Sequence, residues 1–289
     1  MEASQTHKFS ILPLYKKCKL CKKLLLQSHK VQGCVMYLCN ACQVLTNWNH
    51  ETILQKSLLS HVQIEHLLTI FLDKKTPKEA ENILEYYFVN EKVSLNSIQK
   101  YFTLFCQITL KYYEERMNFT LLEKEVEIDE SHLFREKKSF APHRNYKQSS
   151  IWIFGMKERH SKNFFVIPLK VRDEETLIPL IRKHIKRGSK VYSDSFSVYV
   201  NNRQKTSKLS SFGYAHYFVN HRLEFVSHLS NEIHTNSIEG LWSMIKKDLK
   251  KWRYTTKYEL AIARYYFHYT LTKEQQFGYL CKALCSNSI

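Results

Sequence analysis

Three acidic residues stand where a metal-dependent phosphoryl-transfer site would need them. Asp129 ends the run 125–129, Asp194 ends the run 190–194, and Glu239 lies near the start of a helical segment. Two carboxylates at strand ends and one on a helix can converge on a pair of divalent cations. Such a pair activates an attacking oxygen and stabilises the leaving oxygen in phosphodiester chemistry. The sequence therefore predicts a divalent-cation site built from these three side chains.

The helical segment that carries Glu239 also has a structural interpretation. Asn236 as N-cap and Glu239 three residues later would form a capping box. However, Glu239, Ser243 and Lys246 are spaced by four and three residues, so they share one helix face. A carboxylate and an ammonium two turns apart suit a metal ligand and a contact to a DNA phosphate. Either aspartate alone is more typical of a turn or a helix cap.

The N-terminal region contains two CxxC pairs separated by 17 residues, Cys18 with Cys21 and Cys39 with Cys42. Zinc prefers four thiolates in a tetrahedron, and each pair supplies two from one tight loop. We therefore predict a zinc ribbon, with Cys34 as a core thiol and His29 as a less favoured ligand. Five lysines crowd the first pair, where they would contact DNA phosphates or form a solvated face: Lys16, Lys17, Lys19, Lys22 and Lys23.

The composition favours a polyanionic partner. The 289 residues carry a formal net charge of +17, with a pI near 9.4. A ribosome-associated protein, a membrane-surface protein and a merely solvated basic face are the alternatives. The chain has six glycines and no glycine-rich phosphate loop, which argues against a nucleotide cofactor. No apolar run is long enough to span a bilayer and no secretory signal is evident, so we expect an intracellular protein.

The hydrophobic periodicity divides the chain into a helical part and a mixed part. Residues 51–120 read as helices, and 94–116 would hold one or two of them. From residue 123, strands alternate with helices, which predicts a mixed sheet flanked by helices. The predicted strands are 123–130, 150–157, 163–169, 189–194 and 216–220, and the predicted helices are 174–186, 236–251 and 257–285.

Several other residues are assigned structural roles. Trp242 is expected to anchor the helix of Glu239 in the core. Cys281 and Cys285, one helical turn apart, are expected to pack. Four histidines could suggest a second metal site, although positions in loops and at a strand edge explain them better: His216, His221, His228 and His234.

Five motifs together resemble a known family. They are Val126–Ser131, Trp152–Gly155, Gly188–Ser195, Gly213–His216 with Val219–His221, and His234–Trp242. The sequence resembles the Merlin-type DDE transposases and the related bacterial insertion-sequence transposases with an ISXO-like domain. The resemblance covers residues 123–272 and includes the N-terminal zinc ribbon. The Gly-Gly-Lys that usually follows the first motif is absent.

The resemblance implies an α/β, RNase H-like fold and cut-and-paste transposition. It carries the catalytic roles onto Asp129, Asp194 and Glu239, which would hold Mg²⁺ or Mn²⁺, with Asn236 as the alternative third residue. The helix face shared with Glu239 assigns Lys246 to a DNA phosphate. We prefer Glu239 because a carboxylate binds Mg²⁺ better than an amide does. We expect three domains: a zinc ribbon at 1–50, a helical DNA-binding region at 51–120 and the catalytic domain with C-terminal helices at 121–289. A helix-turn-helix is one interpretation of the second region.

The implied partners are double-stranded DNA, at transposon terminal inverted repeats and at the target, and further copies of the chain in the active complex. No membrane partner is implied. The expected location is the nucleus in a eukaryote, or the cytoplasm and nucleoid in a bacterium. Two alternatives remain open: a domesticated or decayed copy that binds DNA without cutting it, and an RNase H-like nuclease or resolvase.

Overall fold

The computed structural model describes residues 11–12, 16–26, 28–31, 34–133, 151–201, 203–219, 234–252 and 258–286. The chain packs into two compact units, one formed by 1–112 with 254–289 and the other by 113–253. The C-terminal helices thus group with the N-terminal part, whereas the sequence assigns them to the catalytic domain. The three functional domains stay a prediction. None of the described helices is long and apolar enough to cross a membrane.

The cysteine region is built from short antiparallel strands. The first two form a hairpin around Cys18 and Cys21. The next three form a meander, with Cys39 and Cys42 in its last turn. The strands are β1 (Lys16–Lys17), β2 (Leu24–Leu25), β3 (Ser28–Val31), β4 (Cys34–Leu38) and β5 (Leu45–Asn47). The structure does not describe the side chains of Cys34 and His29, so the expectations for these two residues stay predictions.

Residues 51–59 form turns, so the prediction that this stretch is helical is wrong. Asn49 Nδ2 donates to the Leu54 carbonyl (2.9 Å), and Thr52 Oγ1 donates to the Asn49 carbonyl (2.7 Å). Side chains of this kind compete with a helix for local backbone groups. The first helix begins only after Ser60, which forms a capping box with Gln63.

The helices of the first unit surround an aromatic core in which Phe71 contacts Phe102 and Phe105. The predicted 94–116 segment is one helix. The predicted 257–285 helix is two helices, because a capping box between Thr272 and Gln275 starts a new one. Cys281 is buried in the last helix. The helices are α1 (His61–Leu72), α2 (Pro77–Tyr87), α3 (Leu95–Phe119), α6 (Tyr258–Thr270) and α7 (Lys273–Leu284).

The second unit contains a five-stranded mixed sheet in the order β12-β9-β6-β7-β8. Within this sheet, β6, β7 and β8 are consecutive antiparallel neighbours, and β9 and β12 run parallel to β6. This is the RNase H-like arrangement, so the predicted fold class is confirmed. The strands are β6 (Glu125–His132), β7 (Trp152–Glu158), β8 (Phe164–Leu169), β9 (Lys190–Asp194) and β12 (Ala215–Val219).

Two helices and a small hairpin complete this unit. Asp173 caps α4 through a hydrogen bond from the Thr176 N–H (2.9 Å), and basic residues occupy the last turn. The elements are α4 (Glu174–His184), β10 (Val200–Asn201), β11 (Thr206–Ser207), a 3₁₀ turn (Leu209–Phe212) and α5 (Asn236–Trp252). Asn220, the expected end of the last strand, lies outside the described residues.

Gly155 on β7 allows α5 to approach the sheet closely. It pairs directly with Asp129 on β6. A Cβ at this position would lie 2.4 Å from the Trp242 ring and 3.1 Å from Ile238. The indole occupies the space that a side chain would need, so Trp242 anchors α5, as expected from the sequence.

We predict that Gly155→Ala destabilises the protein, because the indole must move. Overpacking of this kind costs about 1–3 kcal/mol. Urea unfolding measures the loss. Gly240→Ala is the matched control: its added Cβ meets nothing within 4 Å, and alanine favours a helix over glycine by about 0.5–1 kcal/mol. Equal stability of Gly155→Ala and the original protein would contradict the close packing.

Candidate active site

The two aspartates lie at the same edge of the sheet on neighbouring parallel strands. The register pairs Glu125 with Lys190 and Glu127 with Tyr192. Asp129 and Asp194 each lie two residues beyond the last of these pairs. Carboxyl ends of strands are where ligands bind in open α/β sheets. The structure therefore brings these two predicted residues together.

Glu239 lies in the first turn of α5, exposed to solvent, and its Oε1 accepts a hydrogen bond from Thr235 Oγ1 (3.2 Å). The first helical hydrogen bond runs from the Glu239 N–H to the Thr235 carbonyl (3.2 Å). The cap position is thus held by Thr235, which corrects the expectation that Asn236 caps this helix. Asn236 is exposed and is the first residue of the helix.

Alternate residues of β6 hydrogen-bond to α5 at positions four residues apart. The Ile238 N–H donates to Glu127 Oε2 (2.9 Å). Trp242 Nε1 donates to Asp129 Oδ2 (2.8 Å), and Lys246 Nζ donates to Ser131 Oγ (2.7 Å). Two residues of a strand span about 6.6 Å, and four residues of a helix span about 6 Å. The spacing of the bonded positions along β6 therefore nearly equals their spacing along α5. We call these three contacts the strand–helix ladder.

The lowest rung of the ladder contains a buried ion pair. Glu127 is fully buried, and its Oε1 accepts a hydrogen bond from Arg159 Nε (2.7 Å). The Arg159 guanidinium also donates to the His234 carbonyl and lies 3.6 Å from the centre of the Tyr192 ring. Sequence reasoning missed this pair, although a glutamate between two apolar strand residues, Val126 and Ile128, was a usable signal.

Behind Asp194, a second hydrogen-bonded group fixes the end of β9. Ser193 Oγ donates to the Asp194 carbonyl (2.6 Å) and contacts His216 Nε2 (2.9 Å). The other ring nitrogen of His216 contacts Ser207 Oγ (2.7 Å), and burial lowers the pKa of this histidine to about 4. His216 is therefore part of the sheet edge, whereas His221 and His228 lie outside the described residues.

The three carboxylates share an edge without closing into a tight cluster. Among the residues that the structure describes, the only group of three or more potential ligand side chains with all ligand atoms within 4.8 Å of one another is the cysteine group. Repulsion between Asp129, Asp194 and Glu239 opposes a closer approach. A cation would relieve this repulsion, so the donor set fits a divalent metal.

The four predicted zinc ligands, Cys18, Cys21, Cys39 and Cys42, do converge. Three of their Sγ–Sγ distances are 3.5, 3.5 and 3.7 Å. Thiolates held about 2.3 Å from a tetrahedral zinc are about 3.8 Å apart, so the geometry fits. Backbone N–H groups within each loop lower the pKa of Cys18 to about 6 and lower that of Cys39, which favours these two thiolates. Burial raises the pKa of Cys42 to about 12, so the thiolate of Cys42 needs a bound cation to stabilise it.

The two cysteine loops repeat the same backbone path. The N–H of the residue after each pair bonds to the first cysteine's carbonyl, at 3.1 Å for Lys22 and 2.8 Å for Gln43. Both of these residues have φ of 59°, in the left-handed region. Two loops with one geometry, facing one another, are the arrangement of a zinc ribbon.

A protein-family model, described as the ISXO2-like transposase domain, matches residues 121–265, just over half of the chain. The chain belongs to the ISXO2-like transposase family. The matched range contains Asp129, Asp194 and Glu239 in this transposase. A search of curated proteins found no match.

Solved structures with partial likeness to this transposase come from Mos1. The strand transfer complex is 10% identical, over 70% of this chain and 92% of that chain, with a TM-score of 0.24. The pre-cleavage transpososome is 11% identical, over 77% and 96%, with a TM-score of 0.22. The paired-end complex with the left transposon end is 16% identical, over 68% and 73%, with a TM-score of 0.23. Scores this low transfer no property to the present chain.

Burial gives the transposase site unusual electrostatics. It raises the pKa of Asp129 to about 7, with added repulsion from Asp194 and Glu239, while the hydrogen bond from Trp242 acts in the opposite direction. Burial likewise lowers the pKa of Lys246, against the attraction of Asp129. Carboxyl groups with raised pKa values cluster at functional sites.

Glu130 is a further acidic residue at this edge, and sequence reasoning gave it no role. Burial raises its pKa to about 7, against a hydrogen bond from the Tyr199 hydroxyl. An Arg172 nitrogen lies 3.9 Å from its carboxylate, and that guanidinium covers the Trp152 ring at 3.4 Å. Glu130 faces away from the ladder, on the other face of β6, where it contacts Tyr199 and Arg172.

We predict that Asp129→Asn flattens the dependence of stability on pH. The folded pKa of Asp129, about 7, exceeds its ordinary value of 3.8, so the folded state holds this proton more tightly. That contribution is present below pH 4 and is lost as pH rises through 7, by up to about 4 kcal/mol. Urea unfolding at several pH values in magnesium-free buffer measures it.

Asparagine can still accept the Trp242 hydrogen bond, so Asp129→Asn changes mainly the charge. Glu130 still contributes to the slope of unfolding free energy against pH in this variant. The difference in slope between the variant and the original protein therefore gives the contribution of Asp129. Asp173→Asn is the control. The pKa of this exposed helix cap is lowered, so its substitution should not alter the slope between pH 4 and 7. Parallel curves for Asp129→Asn and the original protein would refute the raised pKa.

Proposed function

We propose that this transposase cuts DNA at transposon ends and joins the freed 3′-hydroxyl to target DNA by metal-dependent phosphoryl transfer. The observation that carries the proposal is the strand–helix ladder. It holds α5 against β6, and Glu239, in the first turn of α5, is near enough to Asp129 to raise the pKa of that carboxyl by repulsion. Nothing in this route requires a covalent bond between protein and DNA.

The three carboxylates would hold Mg²⁺ or Mn²⁺. A bound pair of such ions supplies an activated attacking oxygen and stabilises the leaving oxygen. The protein's own part is positioning: Trp242 orients the Asp129 carboxylate, and Thr235 orients that of Glu239. Lys246, half-buried and hydrogen-bonded to Ser131, would contact a phosphate of the bound strand.

Glu239 is the better candidate for the third ligand. Its charge acts on Asp129, and its carboxylate is fixed by Thr235. Asn236 stands at the exposed start of the helix, with its backbone N–H 3.4 Å from His234 Nδ1. A carboxylate is also a stronger Mg²⁺ ligand than an amide.

Double-stranded DNA is the proposed partner, at terminal inverted repeats and at the target site. The net charge of +17 and the basic residues around the first cysteine loop support it. We also propose that transposon ends and several copies of this chain come together in the active complex.

We predict that Asp129→Asn, Asp194→Asn and Glu239→Gln each reduce strand cleavage by about 10³-fold or more, because each removes a metal ligand worth several kcal/mol. DNA binding should persist. The assay is excision from a donor plasmid that carries the element's terminal repeats, with joining scored separately. Excision without joining would instead indicate a nuclease, and binding without excision by the original protein a non-catalytic DNA-binding protein.

Asn236→Ala is the control for the third position. It should retain most of the cleavage and nearly all of the stability, because Thr235 holds the cap position. Survival of cleavage in Glu239→Gln together with its loss in Asn236→Ala would reverse our assignment of the third ligand.

We also propose that the four cysteines hold one structural zinc ion. Cys18→Ser or Cys39→Ser should release zinc and unfold the cysteine region, since metal binding and folding are coupled in small zinc modules. Metal analysis of the purified protein and circular dichroism measure this. Cys106→Ala, at a buried cysteine of α3, should keep its zinc. Zinc-free original protein would disprove the proposal.

A further inference from the structure

A basic surface lies at the C-terminal end of α4. Arg182, Lys183 and Arg187 line an open cavity of about 320 Å³ together with Pro179 and Tyr214. All three cationic side chains are exposed, and Tyr214 is buried beneath them. We call Arg182, Lys183 and Arg187 the α4 basic surface.

The α4 basic surface lies where the parallel strands begin, whereas Asp129 and Asp194 lie toward the ends of those strands. Arg187 immediately precedes the Gly188 turn into β9, and Tyr214 immediately precedes β12. Asp194 stands at the other end of β9, about 13 Å beyond Lys190 at 3.3 Å per residue. An anion on the α4 basic surface is therefore a different group from the one that reacts.

The three cations have no carboxylate partners within the described ranges, whereas their neighbours do. The neighbouring ion pairs are Lys186 with Glu123 (2.9 Å), Lys190 with Glu125 (2.9 Å) and Lys208 with Glu174 (2.7 Å). The Arg182 guanidinium instead lies 5.5 Å from the Phe212 ring. The surface thus keeps its positive charge available.

Helix capping does not account for these cations. Basic residues often satisfy the last carbonyls of a helix and its dipole. Here the His184 carbonyl accepts the Leu122 N–H (2.9 Å), and the Ile185 carbonyl accepts the Tyr214 hydroxyl (3.1 Å). Neutral donors already serve these two carbonyls, so among the described residues the charges stay available to an external anion.

We propose that the α4 basic surface binds the phosphate backbone of DNA outside the reacting segment. This rests on the proposed function, because it assumes a DNA substrate. Two guanidinium groups and an ammonium suit phosphate oxygens. The formal net charge of +17 favours DNA over an acidic protein as the partner, and an acidic protein is a separate outcome of the test.

The test compares DNA binding by two variants of the full-length, zinc-loaded protein. Arg182→Gln/Lys183→Gln/Arg187→Gln removes the α4 basic surface. Lys186→Gln/Lys190→Gln/Lys208→Gln removes three ion-paired lysines from the same unit and lowers the net charge equally. The probe is a fluorescent duplex of random sequence, in magnesium-free buffer over a series of salt concentrations. Circular dichroism checks that both variants are folded.

Each phosphate contact contributes about 0.9 to the slope of log affinity against log salt. We expect the first variant to lower that slope by about 2 to 3, and the control to change it by less than about 1. An equal drop of the slope in both variants, or no drop in the first, would overturn the proposal for this surface. Salt-dependent binding by the original protein would in that case still support DNA as the partner.

Absence of DNA binding by the original protein would overturn both proposals. Polyglutamate serves as a phosphate-free polyanion. Loss of polyglutamate binding with unchanged DNA binding in the first variant would assign the surface to an acidic protein, and would also overturn the proposal.

Discussion

The strand–helix ladder is the constraint on which the site depends. A strand rises more per residue than a helix does, yet two residues of a strand are nearly as long as four residues of a helix. Glu127, Asp129 and Ser131 use that match to hold α5 at three heights. The contact is close because Gly155 has no side chain under Trp242. Moving α5 along the sheet would break all three bonds at once.

Two nearby positions on β6 show how environment separates a buried acid with a compensated charge from one whose charge is opposed. Glu127 is buried, but Arg159 and a helix N-terminal N–H compensate its charge. Asp129, two residues later, is held by neutral N–H groups and repelled by Asp194 and Glu239. Lys246 compensates its charge only in part, and this condition favours a cation from solution.

The second unit has two electrically different edges. The edge formed by the ends of β6 and β9 gathers carboxylates, and the edge where β9 and β12 begin gathers cations. Acidic and basic side chains that lay side by side would neutralise each other. Separation by the length of a strand keeps both available, and the parallel order of β6, β9 and β12 creates that separation.

The sequence alone identified the cysteine pairs, the acids at strand ends and the helix of Glu239, because residue type, spacing and periodicity are local properties. The tertiary structure decided the Glu127–Arg159 pair, the Trp242–Asp129 bond and the turns at 51–59. It also decided the split of the last predicted helix and the capping role of Thr235. The bonded groups of the ladder are 111 to 115 residues apart. Sequence patterns report which side of an element is apolar, but contacts across such separations exist only once the sheet and α5 have packed together.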